Sequence, residues 1–526
     1  MAMRNHSGWG DWEGALSSTE VESLRKLLSK LFKLDLGYVA ALPLKDCEVA
    51  PSRWARVPPG LGAFADVTTG SRALHSFGRS FADLVRARGG DFSGAPDVVL
   101  FPGTESEVVA AMDFAASRRA ALVPFGGGSS VVGGLGPISR EEYPLVVSLD
   151  LSRLGRVVEV DSQSETALIE AGTYGPAIES QLRPHGLSLR HFPQSFEFSS
   201  LGGWIATRSG GHFATGPTHI EDLVRSVRMI SPVGVFSTRP FPASGAGISP
   251  ERMVAGSEGI LGVITEATMK LFERPRFKSS ASVRFTSLDA AISGLAALVR
   301  SGLNPANCRV LDAAESQRVG LGNLAQILVG FESPNVEVKA RLAEALSLLE
   351  DHGGSVASSQ GNSGEHDSAS EAWKSSFIRA PYLADALIGM GLLVDTYETA
   401  VSYANFPRLY AATHDAIGEV LRRAGVLGSM TSCRVTHAYS DGLAPYFTLI
   451  APVPPGAQLT LWREMKEVVS ATFVDSGATI THHHGVGRDH IPGFIATSSP
   501  LFLTALAKLK SHFDPNGIMN PGVLLG

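Results

Sequence analysis

Three consecutive histidines, in Thr481-His482-His483-His484-Gly485-Val486-Gly487-Arg488, form a rare cluster of groups that titrate near neutral pH. Such imidazoles can orient a polar substrate or pass a proton. On a strand His482 and His484 would share a face while His483 points away. A metal site would need further ligands from elsewhere, so no metal is predicted; isolated core histidines are usually satisfied structural groups. A second block, Thr431-Ser432-Cys433-Arg434-Val435-Thr436-His437-Ala438-Tyr439, leads through Asp441-Gly442 to Tyr446-Phe447-Thr448-Leu449. Tyr446 enters a β-prone run, where its phenol either packs in a core or exchanges a proton. Arg379, in Phe377-Ile378-Arg379, is a lone cation in apolar surroundings, which points to an ion pair or a phosphate.

The glycines carry a different chemistry. In Pro124-Phe125-Gly126-Gly127-Gly128-Ser129-Ser130-Val131-Val132-Gly133-Gly134, small residues follow a strand-like run, so successive backbone N–H groups can converge on a pyrophosphate. The run registers neither a Gly-x-Gly-x-x-Gly nor a Gly-Lys-Ser/Thr motif. A plain flexible turn is the alternative. In His191-Phe192-Pro193-Gln194-Ser195 and the following Ser199-Ser200-Leu201-Gly202-Gly203-Trp204-Ile205-Ala206-Thr207-Arg208-Ser209, Gly202 and Gly203 could bring a helix start to phosphate. Thr207 and Ser209 offer hydroxyls to the same ligand. Gly256-Ser257-Glu258-Gly259-Ile260-Leu261-Gly262-Val263-Ile264-Thr265 is a third glycine turn entering an apolar strand.

The elements that must position these groups follow from hydrophobic periodicity. A capping-box pattern, Thr19-Glu20-Val21-Glu22, opens a helix whose Val21, Leu24, Leu28 and Leu31 make one apolar stripe. Between about residues 95 and 273, short β-rich runs alternate with helices. From Ser279 the pattern becomes strand 282–285, helix 288–300, strands 306–311 and 326–331, helix 336–349 and a strand at 356. A Ser/Gly-rich stretch, 353–370, reads as a flexible connector.

Composition sets the outer limits. A chain of 526 residues with 44% hydrophobic and 18% charged residues is a folded multidomain protein. Its net charge of −6 gives no basic field for nucleic acid. Three scattered cysteines, Cys47, Cys308 and Cys433, fit no disulfide framework. The N-terminus lacks a signal-peptide core, the ending Val523-Leu524-Leu525-Gly526 is no peroxisomal tripeptide, and the apolar stretch 383–394 is too short to span a bilayer. These features predict a cytoplasmic protein whose membrane contact, if any, is peripheral.

The three glycine motifs, in this order and at these separations, resemble the FAD-binding half of the vanillyl-alcohol-oxidase-type (PCMH-type) flavoproteins. The resemblance implies an α+β fold: a two-subdomain FAD-binding domain plus an α+β cap domain with an antiparallel sheet. It divides the chain into a helical arm (1–90), the FAD domain (91–275), the cap (276–470) and a C-terminal segment returning to the flavin (471–526). FAD would lie extended and non-covalent, with Gly126, Gly127, Gly128, Ser129 and Ser130 on its pyrophosphate. Pro124, Pro193, Ser195, Gly202, Gly203, Thr207, Ser209, Glu258, Gly259, Gly262 and Ile264 would flank it.

The C-terminal motifs, Cys433-Arg434-Val435-Thr436, Tyr446 and the triple histidine before Gly485-Val486-Gly487, resemble the alkyldihydroxyacetonephosphate synthase family. That resemblance implies ether-lipid synthesis, a redox-neutral exchange of the acyl group of acyl-dihydroxyacetone phosphate for a long-chain fatty alcohol with FAD as covalent catalyst. It implies Tyr446 as general acid/base, His482, His483 and His484 as the orienting cluster, Arg379 as the anion contact and Arg309 as a supporting residue. A homodimer is compatible with it. The rival expectation is a flavin-dependent 2-hydroxyacid (D-lactate or glycolate) dehydrogenase. Against it, residues 443–445 supply no second histidine after His437 for the metal-holding element of those enzymes.

Overall fold

Val98, Val99 and Leu100 are fully buried, as expected of a short apolar run in a strand covered on both faces. In the computed structural model, which describes residues 4–54, 58–356 and 368–526, this strand belongs to a four-stranded sheet. Its order is Ala65–Asp66, Val98–Leu100, Val146–Asp150, Ala121–Phe125. The last three are parallel, and the helix Glu105–Arg118, capped by the Thr104 side chain, makes the crossover. Strand Ala121–Phe125 therefore delivers the glycine run at its carboxyl end.

A second, antiparallel sheet has the order Gly234–Ser237, Val224–Ser231, Val263–Lys270, Thr166–Glu170, Val157–Asp161. Its Ile230 and Val263 join the core of the first sheet. The chain end closes the domain: the Leu122 N–H donates to the Ile518 carbonyl and the Asn520 N–H to the Leu122 carbonyl.

The cap follows the alternation read from residue 279 onward. Strand Phe277–Phe285, helix Leu288–Arg300, strands Asn307–Leu311 and Ala325–Ser333, helix Lys339–Asp351 and strand Ser355–Val356 appear in that order, with a short helix Ala313–Arg318 added. They join Met430–Ala438, Gly442–Pro452 and Leu392–Glu398 in one antiparallel sheet. Cys433, Val435, Phe447 and Leu449 share a core with Leu295, Leu349, Ile417 and Met465 from four helices. Because strand side chains alternate, Ser432, Arg434, Tyr446 and Thr448 face the other way. That opposite face is the one the site uses.

The expected arm is divided. Ala65–Asp66 pairs in the FAD-domain sheet, Trp9 is buried in the cap core, and the helix Ser18–Phe32 packs through Val21, Leu28 and Phe32 on Leu387, Leu392 and Ile450. The capping box also sits two residues earlier than expected. Ser17 accepts from the Glu20 N–H and Glu20 from the Ser17 N–H, the same Ser-x-x-Glu geometry in another register. The connector expected over 353–370 falls largely on 357–367, outside the described residues. No helix among the described residues is long and apolar enough to cross a membrane.

Candidate functional site

A cavity of about 830 Å³ lies between the FAD domain and the cap. All sixteen residues expected to flank the cofactor line it, among them Gly126 to Ser130, Gly202, Thr207 and Ile264. The glycines are required by close approach: a Cβ on Gly127 would lie 1.6 Å from the Phe198 carbonyl oxygen and one on Gly126 2.2 Å from Ser200 Oγ. Gly128 adopts φ +71°, which favours glycine. The helix Leu201–Thr207 contributes less at its start than its sequence promises, because the Leu201 and Gly202 N–H groups already donate to the Thr173 and Ala171 carbonyls.

The cavity wall retains unmet polar atoms. Ser200 Oγ and Asn520 Oδ1, both on the lining, are buried without a hydrogen-bond partner, which costs free energy unless a ligand satisfies them. Arg79 also lines the cavity, and its backbone N–H donates to the Ser130 carbonyl at 2.5 Å. Its guanidinium donates to the Gly78 and Asn5 carbonyls and lies within ion-pair distance of no carboxylate among the described residues. A glycine nest, orphaned polar atoms and an arginine on the lining together fit a cofactor carrying a pyrophosphate. Glu258 lines the cavity too, but its carboxylate accepts the Val486 and Gly487 N–H groups at 2.7 Å each. It therefore fastens the histidine loop to the FAD domain.

The three histidines do not form a strand. The buried Glu398 carboxylate accepts the N–H groups of His482, His483 and His484, at 2.7 to 3.2 Å, and the Thr481 hydroxyl. That turn reverses the strand expectation. His483 and His484 line the cavity, whereas His482 turns back to Tyr439 Oη at 2.6 Å and His219 Nε2 at 3.2 Å. Burial lowers His483 to about 3 and His484 to about 4 despite the nearby Glu398, so both rings are neutral at physiological pH. Burial opposes ionisation of Glu398, but the three backbone N–H groups and the Thr481 hydroxyl that it accepts favour the carboxylate and hold the group well below its ordinary range.

Tyr446 is on the cavity wall, 5% exposed, with the His483 ring stacked at 6.1 Å and the His484 ring edge-on at 5.7 Å. Across the sheet it is registered between Arg434 and Glu398. Burial raises the phenol's pKa, and the Arg434 guanidinium, 4.0 Å from the ring centroid, opposes that.

Arg379 does not join this group. It stands exposed at the surface, paired with Glu20 at 2.8 Å, because its stretch of helix faces the N-terminal helix. Arg309 is buried and donates to the His212 carbonyl, a supporting position. Glu398, His219 and Arg79 went unrecognised in the sequence, where each is an isolated residue with no local motif, and Tyr439 closed the Thr431–Tyr439 block without a role assigned to it. The ring nitrogens of His437, His482 and His483 lie within 4.8 Å of one another, the distance for a shared metal ion. His437 Nε2, however, already donates to the Gly211 carbonyl at 3.0 Å.

Residues 96–238 match the FAD binding domain family and residues 274–524 the C-terminal domain of FAD linked oxidases. Alkyldihydroxyacetonephosphate synthase of Dictyostelium discoideum is 31% identical over 483 residues, covering 86% of this chain and 77% of that protein. The chain belongs to the alkyldihydroxyacetonephosphate synthase family. A crystal structure of an alkyldihydroxyacetonephosphate synthase superposes with a TM-score of 0.83 at 28% identity, covering 99% of this chain and 98% of the other. Glycolate oxidase subunit GlcD of Bacillus subtilis is more distant, at 25% identity over 441 residues, 82% of this chain and 89% of that one. As an alkyldihydroxyacetonephosphate synthase family member, the chain is an FAD-dependent enzyme of the two-domain PCMH-type fold.

Proposed function

We propose that this enzyme makes ether lipids by replacing the acyl group of acyl-dihydroxyacetone phosphate with a long-chain fatty alcohol, giving alkyl-dihydroxyacetone phosphate and a fatty acid. The observation that carries this reading is the continuity of one cavity, from the glycine nest past Tyr446 to an apolar mouth lined by Leu24, Leu27, Leu28 and Leu31. Bound FAD supplies covalent electron-sink chemistry, so that the exchange involves no net oxidation. Gly126 to Ser130 and Arg79 would hold its pyrophosphate, and among the described residues no histidine outside the 482–484 loop lines the site. Tyr446 gives a proton to the departing carboxylate and takes one from the incoming alcohol. Neutral His483 and His484 orient the substrate and keep the phenol in place. Arg379, paired with Glu20 at the surface beside the cavity-lining Ala380 and Pro381, is given no role in this reading.

The mouth favours a peripheral membrane contact. Leu27, Leu31 and Leu34 are 63, 52 and 46% exposed, with Lys30 and Lys33 beside them on the same helix end, whereas Arg25 and Lys26 are paired with Glu22 and Asp35. Anionic vesicles should sediment the protein, and K30E/K33E should weaken that binding; equal binding of both forms removes the contact.

The deciding experiment mixes the enzyme anaerobically with acyl-dihydroxyacetone phosphate. The flavin spectrum should change, and added fatty alcohol should restore it with formation of ether product. Appearance of free reduced flavin, or turnover of D-lactate or glycolate with an artificial electron acceptor, would favour the hydroxyacid dehydrogenase instead.

A further inference from the structure

The cap face of the cavity carries two arginines without a role in the reading above. Arg318, in the last turn of Ala313–Arg318, and Arg434, in Met430–Ala438, both line it. They share one carboxylate. Arg318 binds Glu315 through Nε and Nη2 at 2.8 and 2.6 Å, and Arg434 Nη1 meets the same group at 3.3 Å. The Ser432 hydroxyl donates to it at 2.7 Å. Burial works against ionisation of Glu315, yet the Arg318 hydrogen bonds and the two positive charges hold its carboxyl down at about 2.

One negative charge thus faces two positive ones. Arg309 adds a third guanidinium next to Arg434, and Asp312 adds a carboxyl that burial pushes up. Two guanidiniums therefore stand on one stretch of cavity wall largely removed from water, where an anion at the cavity side would meet both. Arg318 is the member that still reaches the open space, with its side chain 19% exposed. Arg434 lies against the Tyr446 ring, so an anion held here is beside the phenol assigned to proton transfer.

We propose that Arg318 and Arg434 form the subsite for the substrate's phosphate, the monoester at one end of its three-carbon ketone. This deepens the ether-synthase reading and rests on it. The two anions of the reaction are then held by separate cations: the cofactor's pyrophosphate by the nest and Arg79, the substrate's phosphate by Arg318 and Arg434. Arg318 holds Glu315 through its Nε–Nη2 edge, so a phosphate would meet the Nη1–Nη2 edge, whose two N–H donors match two of its oxygens. With the phosphate fixed beside Tyr446, the carbon bearing the acyl group is a few bonds away and within reach of the phenol.

The test compares kcat/KM for acyl-dihydroxyacetone phosphate with that for its dephosphorylated analogue, in the holoenzyme. Wild type should prefer the phosphorylated substrate by on the order of 100-fold, the worth of a charge-assisted pair. Arg318→Met should bring that ratio within a few-fold, chiefly through KM, and Arg318→Lys should recover part of it. Titration with glycerol 3-phosphate, followed by flavin absorbance, should bind at least about tenfold more weakly in Arg318→Met. An unchanged ratio and unchanged titration would overturn the subsite, as would weakened FAD binding with discrimination intact, which would assign these cations to the cofactor. Should the variants not fold, glycerol 3-phosphate should still protect Arg318 of the wild type from phenylglyoxal, read by peptide mass; absence of protection overturns the proposal. If wild type turns over neither lipid yet glycerol 3-phosphate binds and protects, the ether-synthase reading fails and the phosphate site stands.

Discussion

At the scale of single residues, two buried groups set the expected behaviour. Tyr446 is placed by its neighbours as much as by its own strand: two neutral imidazoles and the Arg434 guanidinium lie against its ring. Tyr446→Phe removes only the hydroxyl, so it should keep its FAD while turnover falls about 10²-fold or more. Unchanged steady-state turnover would remove Tyr446 from the chemistry. Glu258 is raised to about 7 by burial, although the Val486 and Gly487 N–H groups and Arg488 oppose the shift. Between an ordinary carboxyl pKa and that value the folded protein holds a proton that the unfolded chain has released, so stability falls as pH rises through this window. Glu258→Gln cannot titrate. The melting temperature of wild type relative to this variant should therefore decline from about pH 4.5 to about pH 7, and a constant difference would mean that Glu258 does not titrate there.

At the scale of elements, the site depends on two loops held by unlike means. The glycine run is held by the absence of side chains, since the Phe198 carbonyl and Ser200 occupy the space a Cβ would take. Gly127→Ala must push the two stretches apart, at a cost of about 1–3 kcal/mol. The variant should melt lower and purify with little flavin absorbance; full flavin content at wild-type stability would show that the loop yields freely. The histidine loop is held by a charge instead, with Glu398 collecting three successive N–H groups. Glu398→Ala leaves those donors unmet, at about 1–3 kcal/mol each if they stay buried. Thermal melts should register that loss, together with loss of the His483 contact to Tyr446.

At the scale of the whole molecule, the cavity lies between two domains with separate cores, and the C-terminal segment returns to place Asn520 on its lining. His75, a candidate tether by residue type, is turned away onto Asp150 at 2.8 Å and the Ser71 carbonyl at 2.6 Å, and His212 is not on the lining. Acid precipitation should accordingly leave the yellow colour in the supernatant. Colour retained in the pellet would mean a covalent bond and would direct attention to His483 and His484.

By itself the sequence determined whatever depends on neighbours along the chain. The run at 126–130, the alternation that sends Arg434 and Tyr446 to one face and Val435 and Phe447 to the other, and the strand–helix order after residue 279 are local patterns, and each is found where its periodicity places it. The tertiary structure decided whatever depends on which distant groups meet. Glu398 gathers a loop more than eighty residues away, Arg318 and Arg434 converge on Glu315 from two elements, and Arg379 is drawn off to Glu20 across 359 positions. A lone charged residue carries no sign of its partner, because Coulomb attraction and burial act through space. Tyr446 was recognisable as a chemical group from its type and family resemblance, but the charges that surround it became definite only when the sheet brought three strands side by side.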